Sequence, residues 1–251
     1  MAAKKEKKAK GGEVSEPAAS LTLDVGEGIP PIEYPPTVVG ALRRMLTRLD
    51  HERHSVLTQE RQLPTSIAIM ATVSGEGVTY ISLALACTLA ADTERNYCVV
   101  ELNWWRPGMI QLLPGIKPDG IGAILTSGAA MDDVLVPTRR PNLTLLPSGI
   151  VPLELRAAAT RGARLREIMQ ELGKRYHHVL IDIPAFTMTS DAIPLAYLAA
   201  TGCMVIRQGA VPIAATKRAI AEVDHLTLLG AVLNRAKSAM PRGMSKNLLS
   251  E

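Results

Sequence analysis

The sequence predicts one α/β domain, a mainly parallel sheet flanked by helices in a three-layer sandwich. Three observations predict it. Apolar runs of strand length alternate with helical segments from Ser66 to Asn234. Apolar residues make up 47% of the chain and aromatic ones only 3%, so Val, Ile, Leu, Met and Ala are available for strands buried on both faces. A glycine-rich turn joins the first apolar run to the helix that follows it. At 251 residues the chain is long enough to bury a substantial core in one such unit.

Residues 1–36 are rich in Lys, Gly, Glu and Pro and end in EGIPPIEYPP. They read as a flexible lead with extended proline segments, order being expected from near Thr37. The domain is then expected over 37–236, with a C-terminal tail over 237–251. TVVGALRRMLTRLDHERHSVL places Val38, Leu42, Met45 and Leu46 on one helical face, with Arg43, Arg44 and Arg48 largely elsewhere. Such a helix packs on the sheet or on another subunit. SIAIMAT reads as a buried strand, TYISLALACTLAADTE as a helix and YCVVEL as the next strand. NLTLLPSG, HVLIDIP, GCMVIRQ and LGAVLN continue the strands, separated by helical ARLREIMQELGKRY, SDAIPLAYLAA and IAATKRAIAEVDHL. Crossovers of this kind give parallel pairing, and ligands of such sheets bind at the carboxyl ends of the strands.

Composition excludes several classes. The formal charge of +4 comes largely from the first ten residues, MAAKKEKKAK, which leaves the body nearly neutral. No basic stripe with stacking aromatics is present, so no nucleic acid is expected as a partner, and the lysine run reads as a solvated extension. Cys87, Cys98 and Cys203 are far apart, with no metal-ligand spacing; neither a disulfide nor a zinc site is expected. The longest uncharged run, Ala192 to Ile206, contains Pro194 and Gly202 and is too short to span a bilayer as a helix. No signal-peptide pattern is visible. The expected location is the cytoplasm, with peripheral attachment to the inner face of the cell membrane through a partner as the further option.

The chemistry centres on Ser74-Gly75-Glu76-Gly77-Val78-Thr79. A phosphate loop gathers backbone N–H groups and a helix N-terminus around an anion, and glycines let the backbone approach. In the pattern G-x-x-x-x-G-K-[ST] the lysine reaches the outer phosphates and the hydroxyl ligates Mg²⁺. Here Thr79 keeps the hydroxyl, Val78 stands at the lysine and Thr72 at the first glycine. Taken alone the match is weak, and a plain strand-to-helix turn explains it equally well.

Two further segments change that balance. CVVELNWWRPG follows the next strand, and VLIDIPA places Asp182 at the end of a later one, where a Walker B carboxylate would hold a metal through water. In this order the segments resemble the cytoplasmic domain of bacterial tyrosine kinases, the BY-kinases of capsule and exopolysaccharide export, within the MinD and ParA type of P-loop ATPases. The resemblance covers roughly residues 37–236 and extends to NLTLLPSGIVPLELRA, SDAIPLA and GAVLNR. It implies a P-loop NTPase-like fold with ATP or ADP and Mg²⁺ as cofactors. It places Gly75, Glu76, Gly77, Val78 and Thr79 in the nucleotide loop, and Glu101 and Asn103 at the two acidic positions of the second motif, before Arg106-Pro107. Asp182 falls on Walker B and Asn234 near the base. Thr79 and Asp182 are the implied metal residues, Glu101 and Asp182 the catalytic ones if the site is active.

The departures fall on the chemistry. Val78 removes a cation, Glu101 is one methylene longer than the usual aspartate, Asn103 is no useful proton acceptor, and Trp105 replaces a basic residue. Phosphoryl transfer depends chiefly on electrostatic positioning, so these changes point away from catalysis. No tyrosine follows Tyr197, so tail autophosphorylation is not expected, and Gly40, Arg43 and Leu46 stand where the family's ring-forming E-x-x-R-x-x-R would lie. Trp104 and Trp105 read as core or as a cap over the strand ends, or as one filling phosphate space or anchoring a partner, the two facing opposite ways. Asp191, with Ser190, fits a helix N-cap; Arg207 and Lys217 are weaker candidates. The expectation is a binding, regulatory or scaffold subunit in an envelope polysaccharide assembly, its partner a protein such as a membrane-embedded co-polymerase-like subunit or a second copy of the chain. The alternatives are a slow ATPase or kinase with a basic residue such as Arg106 supplied from elsewhere, and a purely structural subunit.

Overall fold

The structure, a computed structural model, describes residues 20–54 and 65–236, with backbone alone for 48–54. The basic run of residues 1–10 and the 237–251 tail lie outside the described residues. In chain order the elements are β1 (Leu21–Leu23), β2 (Ile32–Tyr34), α1 (Pro36–His54), β3 (Ser66–Ala71), α2 (Val78–Asp92) and β4 (Tyr97–Glu101). Then come α3 (Met109–Leu112), α4 (Ile121–Ser127), α5 (Met131–Val134), β5 (Val136–Pro137), β6 (Leu143–Leu146), α6 (Leu153–Arg161) and α7 (Ala163–Arg175). The chain continues through β7 (His178–Asp182), α8 (Ala192–Ala196), β8 (Thr201–Arg207), α9 (Ile213–Ala221) and β9 (Leu228–Asn234).

Seven strands form one sheet in the order β5-β6-β4-β7-β3-β8-β9. Every pairing is parallel except that of β5 with β6 at one edge. β4 and β7 are buried along their whole length, which is why their sequences read as unbroken apolar runs rather than alternating ones. At the edges the pattern relaxes: β5 ends in Pro137, and Leu233 of β9 is exposed.

One face of the sheet packs Ile67, Ile69, Val99, Leu180, Cys203 and Val205 against α2. The opposite face packs Ala68, Met70, Cys98, Val100, Val179 and Ile181 against side chains of α4 and α7. Cys87, Cys98 and Cys203 are buried and free, and burial pushes the Cys203 thiol up to about 12, which leaves it inert as a nucleophile.

α2 differs from the outer helices, because ten consecutive residues from Ile81 to Ala90 are buried. A helix buried on every side needs a second cover beyond the sheet. Residues 20–46 supply it. β1 and β2 pair antiparallel, and Leu21, Leu23, Tyr34, Val39 and Leu42 join the α2 core, with the Tyr34 ring edge-on to Tyr80 at 5.2 Å. The extended lead read from the prolines therefore gives way, from Leu21, to paired strands whose side chains close over α2. In α1 the face named from the sequence is the packed one, with Val39 added and buried more deeply. The Arg43 guanidinium grips Asp92 at the end of α2 through Nη2 at 2.6 Å and Nε at 2.9 Å, so this arginine is engaged within its own chain.

Candidate functional site

The turn between β3 and α2 takes its shape from two left-handed glycines, Gly75 (φ 86°) and Gly77 (φ 98°). A side chain at Gly77 would be strained twice over, since its Cβ would also strike the Asn234 amide. Beneath the turn the Glu76 carboxylate folds inward. Its Oε2 accepts from the N–H groups of Thr72 at 2.8 Å and Val73 at 2.9 Å, and its Oε1 from that of Arg207 at 3.0 Å. Glu76 is 1% exposed, so its side chain shapes the turn from below instead of facing a nucleotide. The turn is also held from the side. Asn234 Nδ2 donates to the Glu76 carbonyl at 2.8 Å while its Oδ1 accepts from the Arg235 N–H at 2.9 Å. Asn234 lines the cleft, with its amide tied to the loop. The first N–H groups of α2 have no intrahelical acceptor by construction, and residues 77–81 that carry them line the cleft.

Glu101 and Asp182 end the adjacent strands β4 and β7 in direct register. Both are buried, yet their surroundings differ. Glu101 accepts from the N–H groups of Gly108, Met109 (2.9 Å) and Ser148 (3.2 Å). Burial pushes its pKa above the ordinary carboxylate value, and these N–H groups oppose the shift. Its carboxylate anchors the start of α3 and the Ser148 turn. Among the described residues neither Asp182 oxygen has a partner at full hydrogen-bond geometry. Burial first, and the Glu101 charge second, push Asp182 well above the usual carboxylate range, with the Thr79 hydroxyl opposing. A carboxylate left so uncompensated is chemically suited to a cation. Thr79 and Asp182 are the residues that would hold Mg²⁺, supplying a hydroxyl and a carboxylate as hard oxygen donors. Gly108 closes over that position, since a Cβ there would collide with the Thr79 hydroxyl.

Above this floor lies a cleft of about 800 Å³, lined by Val73–Gly75, Gly77–Ile81, Asn103, Arg106, Gly108, the start of α1 and the end of β9 through Ala236. Val78, Val38 and Leu112 line it as half-buried members of the α2 core, so an apolar wall stands where the motif's lysine would reach. Asn103 contributes a turn, its Oδ1 accepting from the Arg106 N–H at 3.1 Å. Among the described residues two arginines, Arg106 and Arg235, line the cleft and no Asp or Glu does; both arginines are exposed. Sequence reading missed Arg235. The available signal was its place directly after an apolar strand run, which lands at a carboxyl edge.

The remaining candidates fall elsewhere. Trp104 is buried and donates from Nε1 to the Ser148 carbonyl at 3.0 Å. Trp105 lies against it, ring centroids 5.9 Å apart, with Arg156 over its outer face at 5.7 Å. Neither ring lines the cleft, and they do not face opposite ways, because residues 104–106 bend instead of extending. Asp191 precedes α8 without capping it and instead pairs with Arg161 at 2.7 Å. Arg207 serves through its backbone, and Lys217 lies on α9 outside the cleft.

No protein-family model matches this sequence. Among curated proteins it is similar to the tyrosine-protein kinase wzc of Salmonella typhimurium, 24% identical over 160 residues, which span 63% of this chain and 22% of that protein. The chain thus corresponds to about a fifth of the length of that relative. Among solved structures it is similar to the kinase domain of the Escherichia coli tyrosine kinase ETK, with a TM-score of 0.67 and 20% identity over 82% of this chain and 80% of that one. It is also similar to the septum site-determining protein MinD of Pyrococcus horikoshii in complex with Mg-ADP, with a TM-score of 0.56 and 20% identity over 74% of this chain and 77% of that one. The fold is that of the P-loop NTPases to which these kinase domains and MinD belong.

Proposed function

We propose that the chain is a nucleotide-binding regulatory or scaffold module on a P-loop fold, with ATP or ADP as its ligand and phosphoryl transfer reduced or lost. One observation carries this reading. The left-handed Gly75 and Gly77 keep an anion-cradling turn over a cleft with two arginines and no acidic wall, while Val78 makes the lysine position apolar. The cradle favours an anion by electrostatics and backbone donors. Without the motif's lysine, transition-state charge is neutralised poorly, which lowers turnover more than affinity. Similarity to the wzc kinase supports a place in an envelope polysaccharide assembly, beside a membrane-embedded co-polymerase-like subunit or in a homo-oligomer at the inner face of the membrane. No helix among the described residues is long and apolar enough to cross a membrane.

Calorimetric titration with ADP and ATP, with and without Mg²⁺, tests the reading, followed by a hydrolysis assay on the same protein. Saturable binding with negligible turnover is expected. Absence of binding at millimolar nucleotide defeats it, and Mg²⁺-dependent hydrolysis abolished by Asp182→Ala replaces it with the second reading. That reading is a slow ATPase or protein kinase using a cation from outside the loop, and the presence of Arg106 in the cleft wall favours it.

A further inference from the structure

Asn234 fixes where the chain goes next. Its amide bridges the Glu76 carbonyl and the Arg235 N–H, so Arg235 follows directly on the residue that grips the phosphate turn. Arg235 adopts φ 51°, the left-handed region, and is the only residue other than glycine with positive φ among the described residues. For an arginine this backbone is strained, and no local hydrogen bond of its side chain accounts for it. The conformation turns the chain at the end of β9 so that both Arg235 and Ala236 line the cleft. The Arg235 guanidinium has no ion pair and no hydrogen-bond acceptor among the described residues. Arg235 is exposed at the edge of the cleft, and a guanidinium free of protein partners can meet phosphate there with paired donors.

We propose that Arg235 supplies, from the end of β9 and within the same chain, the phosphate-binding cation that Val78 does not. The inference rests on the nucleotide reading above and names the group that makes it workable. Nucleotide phosphates seated on the Gly75–Thr79 backbone meet Arg235 from the β9 side and Arg106 from the β4 side. The apolar Val78 wall excludes water between them. In this arrangement the charge comes from a strand edge instead of from the first turn of α2. It binds the ground state without following the transferred phosphoryl group, which fits retention of a ligand without turnover.

The test compares the full chain with three variants, titrated with ADP, adenosine and inorganic pyrophosphate over a range of salt concentrations. Arg235→Gln is expected to weaken ADP and pyrophosphate about tenfold or more and to flatten the salt dependence, with adenosine unchanged. Arg235→Gly suits the left-handed backbone, so it is expected to lose the same affinity while its thermal midpoint holds or rises. This separates lost charge from lost fold. Val78→Lys in the Arg235→Gln background is expected to restore ADP affinity. Unchanged pyrophosphate binding in Arg235→Gln, or equal weakening of adenosine and ADP, overturns the inference while leaving the nucleotide reading in place. If the unaltered chain binds neither ADP nor pyrophosphate, that reading falls first and this one with it.

Discussion

Glu76, Glu101 and Asp182 are three buried carboxylates within one site, and their neighbours set three different consequences for stability. Glu76 accepts three backbone N–H groups. Glu76→Gln would aim an amide N–H₂ at donors, and a loss of about 2–3 kcal/mol in urea unfolding is expected. Asp182 has no such partners, so removing its charge acts in the opposite direction. Asp182→Asn is expected to stabilise the ligand-free protein at pH 7, on the order of 1–2 kcal/mol, measured the same way. The pH dependence has a definite sign. Asp182 and Glu101 are both raised in the fold, so the folded state holds protons that the unfolded chain has released. Their contribution is fully present below the ordinary carboxylate range and is lost as pH rises through their folded values. Unfolding midpoints of the parent chain should fall across that window, and the slope should shrink in Asp182→Asn. The glycines and Asp182 were legible in the sequence because motif spacing places them. The inward turn of Glu76 and the place of Arg235 were not, because the third Glu76 donor, Arg207, lies 131 positions away and Arg235 follows Asn234, which is tied to a residue 158 positions away.

At the scale of elements, the long apolar strands were legible and the cover over α2 was not. β1 and β2 are three residues each, flank prolines and show no periodicity long enough to read. The informative signal lay in α2 itself, whose LALACTLAA is apolar all round and so calls for a neighbour on its outer side. Tyr34 tests that cover. Its ring is fully buried while its hydroxyl has no partner among the described residues, and burial pushes that phenol far above its ordinary value. Tyr34→Phe is expected to be neutral or slightly stabilising, whereas Tyr34→Ala should cost about 3–5 kcal/mol by opening a cavity above α2. The Arg43–Asp92 pair joins the same elements but is 42% and 34% exposed. Asp92→Ala should therefore cost less than about 1 kcal/mol, and less still at high salt. Urea unfolding of the three variants ranks packing against charge in holding the cover.

At the scale of the whole molecule, the cleft is assembled from β3, β4, β7, β9 and the start of α1, so a ligand held there joins both sides of the sheet to its outer cover. Binding to the folded state alone raises unfolding free energy by about 2.7 kcal/mol at a hundred times the dissociation constant. Thermal scans with ADP should show that rise in the parent chain and a smaller one in Arg235→Gln at equal ligand concentration. The tie between Asn234 and the phosphate turn spans 158 residues. Seen in the order of synthesis, the glycine turn leaves the ribosome early and waits for the last strand before its shape is fixed. A nascent chain stopped before Asn234 has its glycines and its buried acids but lacks the tie that holds the turn, so ligand capture is expected to coincide with completion of the sheet.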